Sequence, residues 1–241
     1  MNKYIGINHI NSTMFGGIDS SFNNIFKDEE ILVEAGMDYI PCQVGDISEI
    51  YDILKKNLDE KMPSNFHDLA NLIFEAVQTY FGNYSNINDR MNNYHDLDEI
   101  EYLNLEVGKV SDLKGKNAAM CVERAIVTQN ILKTLGYNSY YKASGIVKDG
   151  KIEGHAYNLV ENNGEYYIFD TAIPTIENGK ISPIVASIPK EVFDKMKSPS
   201  SSIGYSVMVS HFNPLRNTDV SITYDEGREE LIDLTRETKI K

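Results

Sequence analysis

A cysteine, a histidine and an aspartate occur along this chain at spacings that could bring them into one site. Cys121 precedes His155 by 34 residues, and Asp170 follows His155 by 15 residues. In nucleophilic cysteine chemistry the thiol attacks as a thiolate, the imidazole accepts and returns its proton, and the carboxylate holds the imidazole in one tautomer. The three residues are therefore candidates for a catalytic triad.

Each of the three side chains also has a purely structural interpretation. An unpaired cysteine is among the most frequently buried residue types. A histidine on the apolar face of a strand is commonly a core residue with satisfied hydrogen bonds, and a carboxylate at a strand end commonly caps a turn. Which interpretation holds depends on whether the predicted helices and strands bring the three residues together.

The spacing of apolar residues predicts that Cys121 lies in the first turn of a helix. From Ala118 onward apolar residues recur three or four positions apart, and Gly136 stands where a C-terminal cap belongs. The unpaired backbone N–H groups and the positive dipole end of such a helix favour a thiolate and can donate to an oxyanion. We expect Glu123, in the same turn, to face solvent.

Three strands are predicted after this helix, over residues 140–147, 152–161 and 165–170. The turn signals Asp149-Gly150 and Asn162-Asn163-Gly164 join them. A helix that feeds an antiparallel meander is typical of an α+β fold rather than a doubly wound one.

Strand alternation predicts which side chains share a face. His155, Tyr157 and Leu159 are expected on one face of the second strand, with Ala156, Asn158 and Val160 on the other. Asp170 ends the third strand, from which it can reach its neighbour. The helix start, the strand and the strand end are therefore expected to meet on one side of the sheet.

Two amphipathic helices are predicted before this core. The first forty residues are rich in Asn, Gly and Ser and indicate no firm element. Asp46 is the expected N-cap of the first helix, Pro63-Ser64 separates the two helices, and Gly82-Asn83 ends the second. Residues 83–98 are polar and are expected to form a loop. The helical apolar faces are made of Ile47, Ile50, Tyr51, Leu54 and Leu58, and of Phe66, Leu69, Ile73, Val77 and Tyr80.

After the core the periodicity is weaker. A short helix is predicted over residues 189–196, and strands are predicted over residues 204–212 and 220–224. The charged tail from Asp225 is expected to be exposed or to form a last helix. We thus expect a mostly helical N-terminal extension over residues 1–110 and a catalytic core over residues 111–241, packed as one compact unit.

The stretch from about residue 114 to residue 174 resembles the catalytic core of the transglutaminase-like superfamily of cysteine enzymes. This papain-like resemblance rests on the segments Met120-Cys121 through Ala125, Leu135-Gly136-Tyr137, Gly154-His155-Ala156-Tyr157 and Tyr166 to Asp170. It implies a helix packed on an antiparallel sheet, with Cys121 at the helix start facing His155 and Asp170. It also implies a protease, amidase or transamidase that acts on an amide bond of a peptide or protein substrate through a thioester, without a cofactor.

Several residues depart from the family pattern. The family often has a glycine shortly before the cysteine, where this chain has Ala118-Ala119-Met120, and usually a Trp where this chain has Tyr157. The chain contains no Trp, so the indole N–H that some members supply to the oxyanion hole is absent. Asn117, Tyr157 and Tyr102 are candidates for the oxyanion or substrate contacts, beside the backbone N–H of Cys121.

Two alternatives remain open. The arylamine N-acetyltransferases share the Cys-His-Asp order and a sequence like Cys121-Val122-Glu123, although this chain lacks their Arg-Gly-Gly run before the cysteine. A catalytically inactive domain of the same fold could instead bind a peptide or protein in the former cleft. The retained triad favours catalysis.

Composition excludes several classes of protein. The net charge of −13 argues against a nucleic-acid partner and against an anionic membrane surface, because no basic surplus exists to neutralise phosphates. Two cysteines, Cys42 and Cys121, are too few for a disulfide framework and suggest a reducing compartment. Since neither a signal-peptide core nor a run of ~18 apolar residues is visible, we expect a cytoplasmic protein.

The other histidines do not predict a metal site. His9, His67, His95 and His211 are scattered, without the spacing of a ligand pair such as His-x-x-His. Gly16-Gly17 lacks the Lys-Ser/Thr that a phosphate-binding loop requires. No metal or other cofactor is therefore predicted.

Overall fold

The helical and strand periods of the sequence produce an α+β structure in the computed structural model. It describes residues 21–28, 31–35, 38–58, 62–83, 109–117, 119–148, 151–177, 180–198, 201, 203–208, 219–223 and 232–233. The helices are α1 (Ser48–Asn57), α2 (Phe66–Phe81), a 3-10 turn (Val110–Leu113), α3 (Cys121–Thr134) and α4 (Lys190–Met196). The strands are β1 (Ser21–Phe22), β2 (Ile31–Ala35), β3 (Asp38–Cys42), β4 (Asn138–Lys148), β5 (Lys151–Asn162), β6 (Glu165–Glu177), β7 (Lys180–Ser187), β8 (Gly204–Met208), β9 (Asp219–Thr223) and β10 (Ile232–Asp233).

Consecutive strands β4 to β7 form the antiparallel meander at the centre of the main sheet. Within the described residues the strand order is β10-β9-β8-β4-β5-β6-β7, with the short β1 also paired to β4. The β4–β8 pairing is parallel, whereas β2 and β3 form a separate hairpin. Asn163 and Gly164 both have positive φ, 52° and 81°, which is the backbone that a tight hairpin between β5 and β6 requires.

The two faces of the sheet are covered by different elements. Ala156 and Val160 of β5 belong to a buried cluster with α2 and α3. Tyr157 and Leu159 belong to a second buried cluster with Phe193 of α4. The alternation predicted for the second strand is therefore confirmed for these residues, and the sheet is buried on both faces at β5.

Helix α3 is enclosed on every side, which the single apolar stripe did not predict. Every residue from Cys121 to Leu132 is buried. Its polar side chains have partners in the surrounding elements: Thr128 bonds Thr171, Gln129 donates to the Ser139 carbonyl, and Asn130 accepts from Phe26 N. A helix that is buried all round and hydrogen-bonded sideways is held in fixed position and rotation.

The predicted helices over residues 66–81 and 189–196 and the predicted meander are confirmed, with small changes at their ends. Ile47, not Asp46, is the N-cap of α1, while Asp46 Oδ1 accepts from Ser48 N at 2.9 Å. Strand β6 continues beyond Asp170 to Glu177, where it pairs with the unpredicted β7 across a register shift. Asp170 therefore lies within a strand, not at its end.

Three further expectations differ from the structure or lie outside its described part. Strands β1, β2 and β3 occupy a region for which no firm element was predicted. Residues 232–233 pair as strand β10, not as part of a helix. The loop expected over residues 83–98 lies outside the described residues except for Asn83.

Residues from both sides of position 110 share one core. The cluster beneath α3 contains Ile50 and Leu54 of α1 and Leu69 of α2, together with Val122 of α3 and Phe169 of β6. The division into an extension and a core at residue 110 stays a prediction. No helix in the described part of the chain is long and apolar enough to cross a membrane.

Candidate active site

Cys121 is the first residue of α3, and the start of this helix is fixed by a neighbouring carboxylate. Met120 is the N-cap, and its backbone N–H donates to Glu123 Oε2 at 2.9 Å. Glu123 is completely buried, so the expectation that it faces solvent is wrong. The physical reason is that a glutamate in the first turn can bond back to the N-cap N–H, which needs a partner once it is buried.

Arg124 ties the same helix start to the end of α2. Its guanidinium donates to the carbonyls of Ala119 and Gly82, at 3.1 and 2.7 Å, and to Gln78 Oε1 at 3.2 Å. A buried arginine that spans three acceptors orients the backbone on either side of the cysteine. Sequence reasoning did not identify this residue, because an arginine in a helix is usually read as exposed.

His155 and Asp170 form a buried hydrogen-bonded pair. His155 Nε2 lies 2.8 Å from Asp170 Oδ2, and both side chains are nearly inaccessible to solvent. They come from adjacent strands β5 and β6, which the tight Asn163-Gly164 turn connects.

Cys121 completes the arrangement on the other side of the imidazole. Its side chain hydrogen-bonds the His155 ring, and with Nε2 engaged by Asp170 the ring nitrogen left for the thiol is Nδ1. Cys121 is 2% exposed and His155 3%. The three residues singled out from the sequence therefore lie in one connected, water-poor cluster.

Opposing influences act on the charge of this imidazole. Burial lowers the pKa of His155, but the negative charges of Asp170 and Cys121 and their hydrogen bonds raise it to about 10. At neutral pH the ring therefore favours the imidazolium form. A positive ring between a carboxylate and a sulfur is the environment in which a thiolate is stabilised.

Tyr205, which the sequence analysis did not single out, is a further partner of Asp170. Its hydroxyl donates to Asp170 Oδ2 at 2.5 Å, while Asp170 Oδ1 accepts from Ala172 N at 2.7 Å. Burial, followed by the Asp170 charge, raises the pKa of Tyr205 well above its usual range. The strand predicted over residues 204–212 contains Tyr205 and is confirmed over Gly204–Met208, but alternation could not show which strand it would lie beside.

Of the candidates for oxyanion or substrate contacts, Tyr157 lies beside His155, whereas Asn117 lies near the end of α2. The Tyr157 ring lies nearly parallel to that of His155, with centroids 6.3 Å apart, and its hydroxyl bonds Ser144 Oγ at 3.0 Å. Asn117 lies at the turn that ends α2, where its Oδ1 accepts from Asn83 N at 2.8 Å and its N–H donates to the Phe81 carbonyl. Tyr102 is outside the described residues. The oxyanion role of these residues stays a prediction.

Tyr141 carries a buried hydroxyl beneath the start of α3. The residue is completely buried in the cluster that contains Cys121, and its hydroxyl has no hydrogen-bond partner among the described residues. Burial, reinforced by the nearby charges of Cys121 and Glu123, raises the pKa of Tyr141 well above its usual range. The hydroxyl is therefore retained in its neutral form close to the thiol.

In the described part of the chain, no group of three His, Cys, Asp or Glu side chains is arranged to hold a metal ion. His67 is exposed on α2, where its ring packs edge-on against Tyr167 at 5.7 Å. His9, His95 and His211 lie outside the described residues, and so does the Cys42 side chain.

The region that contains this site is similar to a known family of domains. A family model described as a transglutaminase-like domain matches residues 54–198, which is more than half of the chain and contains Cys121, His155 and Asp170. No curated protein matches the chain. Among solved structures, arylamine N-acetyltransferase C from Bacillus anthracis is 12% identical, over 78% of this chain and 72% of that chain, with a TM-score of 0.32.

Proposed function

The chain belongs to the transglutaminase-like domain family, and from that premise we propose that it is a thiol enzyme that acts on an amide bond through a thioester intermediate. Peptide or protein amides are the proposed substrate class. A reducing compartment suits a catalytic thiol, so we retain the cytoplasm as the proposed location.

The observation that carries the proposal is the continuous chain of contacts from thiol to imidazole to carboxylate. Cys121 hydrogen-bonds the His155 ring, and His155 Nε2 lies 2.8 Å from Asp170 Oδ2. This is the order in which a nucleophile, a general base and an orienting group must be connected. A structural cysteine in a core does not require a buried charged pair behind it.

The first half of the proposed reaction forms the thioester. The Cys121 thiolate attacks the amide carbonyl carbon, and backbone N–H groups at the start of α3, that of Cys121 among them, can donate to the oxyanion that develops. The C–N bond then breaks as the His155 imidazolium gives its proton to the leaving amine. The proposed role of Asp170 is to keep the ring in the orientation and tautomer that this transfer needs.

The second half releases the acyl group. Neutral His155 accepts a proton from water or from an amine as that nucleophile attacks the thioester carbonyl, and the C–S bond breaks. Water yields a carboxylic acid, whereas an amine yields a new amide. The returned proton restores the thiolate–imidazolium pair.

We propose hydrolysis as the first reaction to test and amine transfer as the second. Acyl transfer of the N-acetyltransferase type would use the same thioester. The Cys-x-Glu sequence no longer favours that alternative by itself, since Glu123 has a structural role as the partner of the Met120 N–H.

The test is mass spectrometry of the full chain incubated with a panel of peptides and primary amines. Cleavage, crosslinking and acyl transfer change the product masses differently, and Cys121→Ala should abolish each of them. Cys42→Ala is the matched control, because it removes the only other thiol in the chain. Retained activity in Cys121→Ala contradicts the mechanism. A folded parent whose Cys121 resists iodoacetamide at neutral pH would favour the peptide-binding alternative instead.

A further inference from the structure

We propose that Tyr205 is a positioning residue for the proposed triad, acting through Asp170. It fixes the carboxylate so that Oδ2 stays directed at the imidazole. The catalytic consequence rests on the proposed function, but the positioning itself does not.

The carboxylate of Asp170 is held at both oxygens. Oδ1 accepts from Ala172 N at 2.7 Å, and Oδ2 accepts from the Tyr205 hydroxyl at 2.5 Å as well as lying 2.8 Å from His155 Nε2. Rotation about the bond to the carboxylate would break at least one of these contacts. Asp170, His155 and Tyr205 are all buried, so water is not at hand to replace a lost donor.

The ring of Tyr205 is itself held in place by packing. It lies edge-on to Tyr157, with centroids 5.0 Å apart, and edge-on to His155 at 6.3 Å. Strand β8, which carries it, pairs in parallel with β4 through Ser206 and Val207. The hydroxyl therefore reaches Asp170 from an element other than the two strands that carry the pair.

A buried lysine anchors the segment that leads into β8. Lys142 is completely buried, and its Nζ donates to the Ser201 carbonyl at 2.6 Å and to the Ser198 carbonyl at 3.4 Å. Because Lys142 lies on β4, it fixes the α4–β8 connection relative to the strand next to His155. Lys142 thus supports the position of Tyr205 through the segment that leads into β8.

Tyr205→Phe tests this role because it removes only the hydroxyl. The readout is the His155 Nε2–H signal in NMR spectra of protein labelled with ¹⁵N-histidine, assigned with His155→Gln. We expect a downfield, slowly exchanging proton in the parent and a shifted or exchange-broadened one in Tyr205→Phe. The rate of Cys121 alkylation by iodoacetamide should fall about ten- to a hundredfold, the effect of misplacing a group that acts on the nucleophile.

Tyr140→Phe is the matched control. Tyr140 lies on the same strand as Lys142 and packs against Phe193 with centroids 5.9 Å apart. The Tyr140→Phe variant therefore loses a hydroxyl on the side of the sheet that also carries Tyr205. It should keep the parent NMR signal and alkylation rate. If Tyr205→Phe gives the same spectrum and rate as this control, the proposal is overturned.

Lys142→Met provides a second test of the positioning role. It keeps Tyr205 and removes the hydrogen bonds from Lys142 to the segment before β8. We expect the same NMR signal to move in the same direction but by less. An unchanged signal would remove Lys142 from the proposal. If the parent shows neither amide turnover nor alkylation of Cys121, the proposed function is wrong. The NMR comparison still shows whether Tyr205 positions the His155–Asp170 pair.

Discussion

The charge on His155 is the residue-level property on which the proposed chemistry depends. Burial disfavours a charged ring, and the adjacent Asp170 and Cys121 favour it strongly enough to raise its pKa to about 10. A histidine with its usual value of 6.5 would be mostly neutral at pH 7. The buried carboxylate therefore favours the imidazolium form of His155, which is the form that the proposed thiolate–imidazolium pair requires.

This pair predicts how Cys121 reacts with a charged and an uncharged alkylating agent. Both iodoacetate and iodoacetamide need the thiolate, so the ratio of their rates cancels the thiolate fraction. An imidazolium attracts the anionic reagent, so the ratio should stay high from pH 6 upward and fall only as His155 loses its proton near pH 10. In Asp170→Asn the main cause of the raised pKa is gone, and the fall should move to lower pH. A parent ratio that already falls near pH 6.5 would contradict the charged resting state.

The Tyr141 hydroxyl predicts an unusual gain in stability. A buried hydroxyl without a partner costs free energy that phenylalanine does not. Tyr141→Phe should therefore raise the free energy of unfolding by about 1 kcal/mol, as measured by urea denaturation. The control is Tyr205→Phe, which removes a hydroxyl bonded to a carboxylate and should lower that free energy by about 2 kcal/mol. A loss of stability in Tyr141→Phe would show that the hydroxyl has a partner.

Residue-level prediction from the sequence succeeded where a single local pattern was enough. The spacing after Ala118 placed Cys121 at a helix start, and strand alternation placed His155 on the same face as Tyr157, where the two rings lie side by side. It failed for Tyr205 and Tyr141, whose importance comes from the register of strands that are distant in sequence. Strand alternation gives the face of a side chain but not its neighbour on another strand.

At the scale of elements, α3 departs from the usual amphipathic surface helix. Polar residues such as Arg124 and Gln129 would normally mark an exposed face, yet here they bond to α2 and to β4. The sequence predicted the helix and its length well, because helix formation depends on local spacing. It could not predict that the helix is enclosed, because the covering chain near Phe22 to Phe26 comes from a region without local periodicity.

Two glycines that end helices provide an element-level prediction. Gly82 and Gly136 both have positive φ, 83° and 86°, so alanine is strained at either position. A Cβ at Gly136 would meet nothing within 4 Å, whereas at Gly82 it would lie 2.2 Å from Asn117 Oδ1. Gly136→Ala should cost about 1 kcal/mol of unfolding free energy.

Gly82→Ala should cost at least about 1 kcal/mol more, because φ 83° with ψ −161° is a backbone conformation nearly restricted to glycine, and because Asn117 must also give up its bond with Asn83 N. Thermal and urea unfolding of the two variants measure the difference. Equal losses would mean that Asn117 moves aside without cost, and its assignment to this turn would then be wrong.

At the scale of the whole molecule, the shared core predicts that the two sides of residue 110 unfold together. Ile73 of α2 and Phe169 of β6 are both fully buried in the cluster that encloses α3. Ile73→Val should lower the unfolding free energy by about 1 kcal/mol. If the chain unfolds as one cooperative unit, hydrogen exchange should show the same decrease in opening free energy for the most protected amides of α2 and of β5.

Ala143→Gly on β4 supplies the reciprocal comparison, because its Cβ lies in the same cluster on the other side of residue 110. It weakens the strand and the packing beneath α3 by about 1 kcal/mol or more, since glycine adds backbone entropy. Native-state hydrogen exchange with mass spectrometry reads α2 and β5 separately in each variant. If each substitution lowers protection only on its own side, the chain contains two units, and the extension predicted over residues 1–110 folds independently of the core. Equal losses of protection in α2 and β5 would mean that the two sides unfold as one unit. The start of α3, which carries Cys121, would then depend on α2 as much as on the strands, because Arg124 and the buried cluster join α3 to α2.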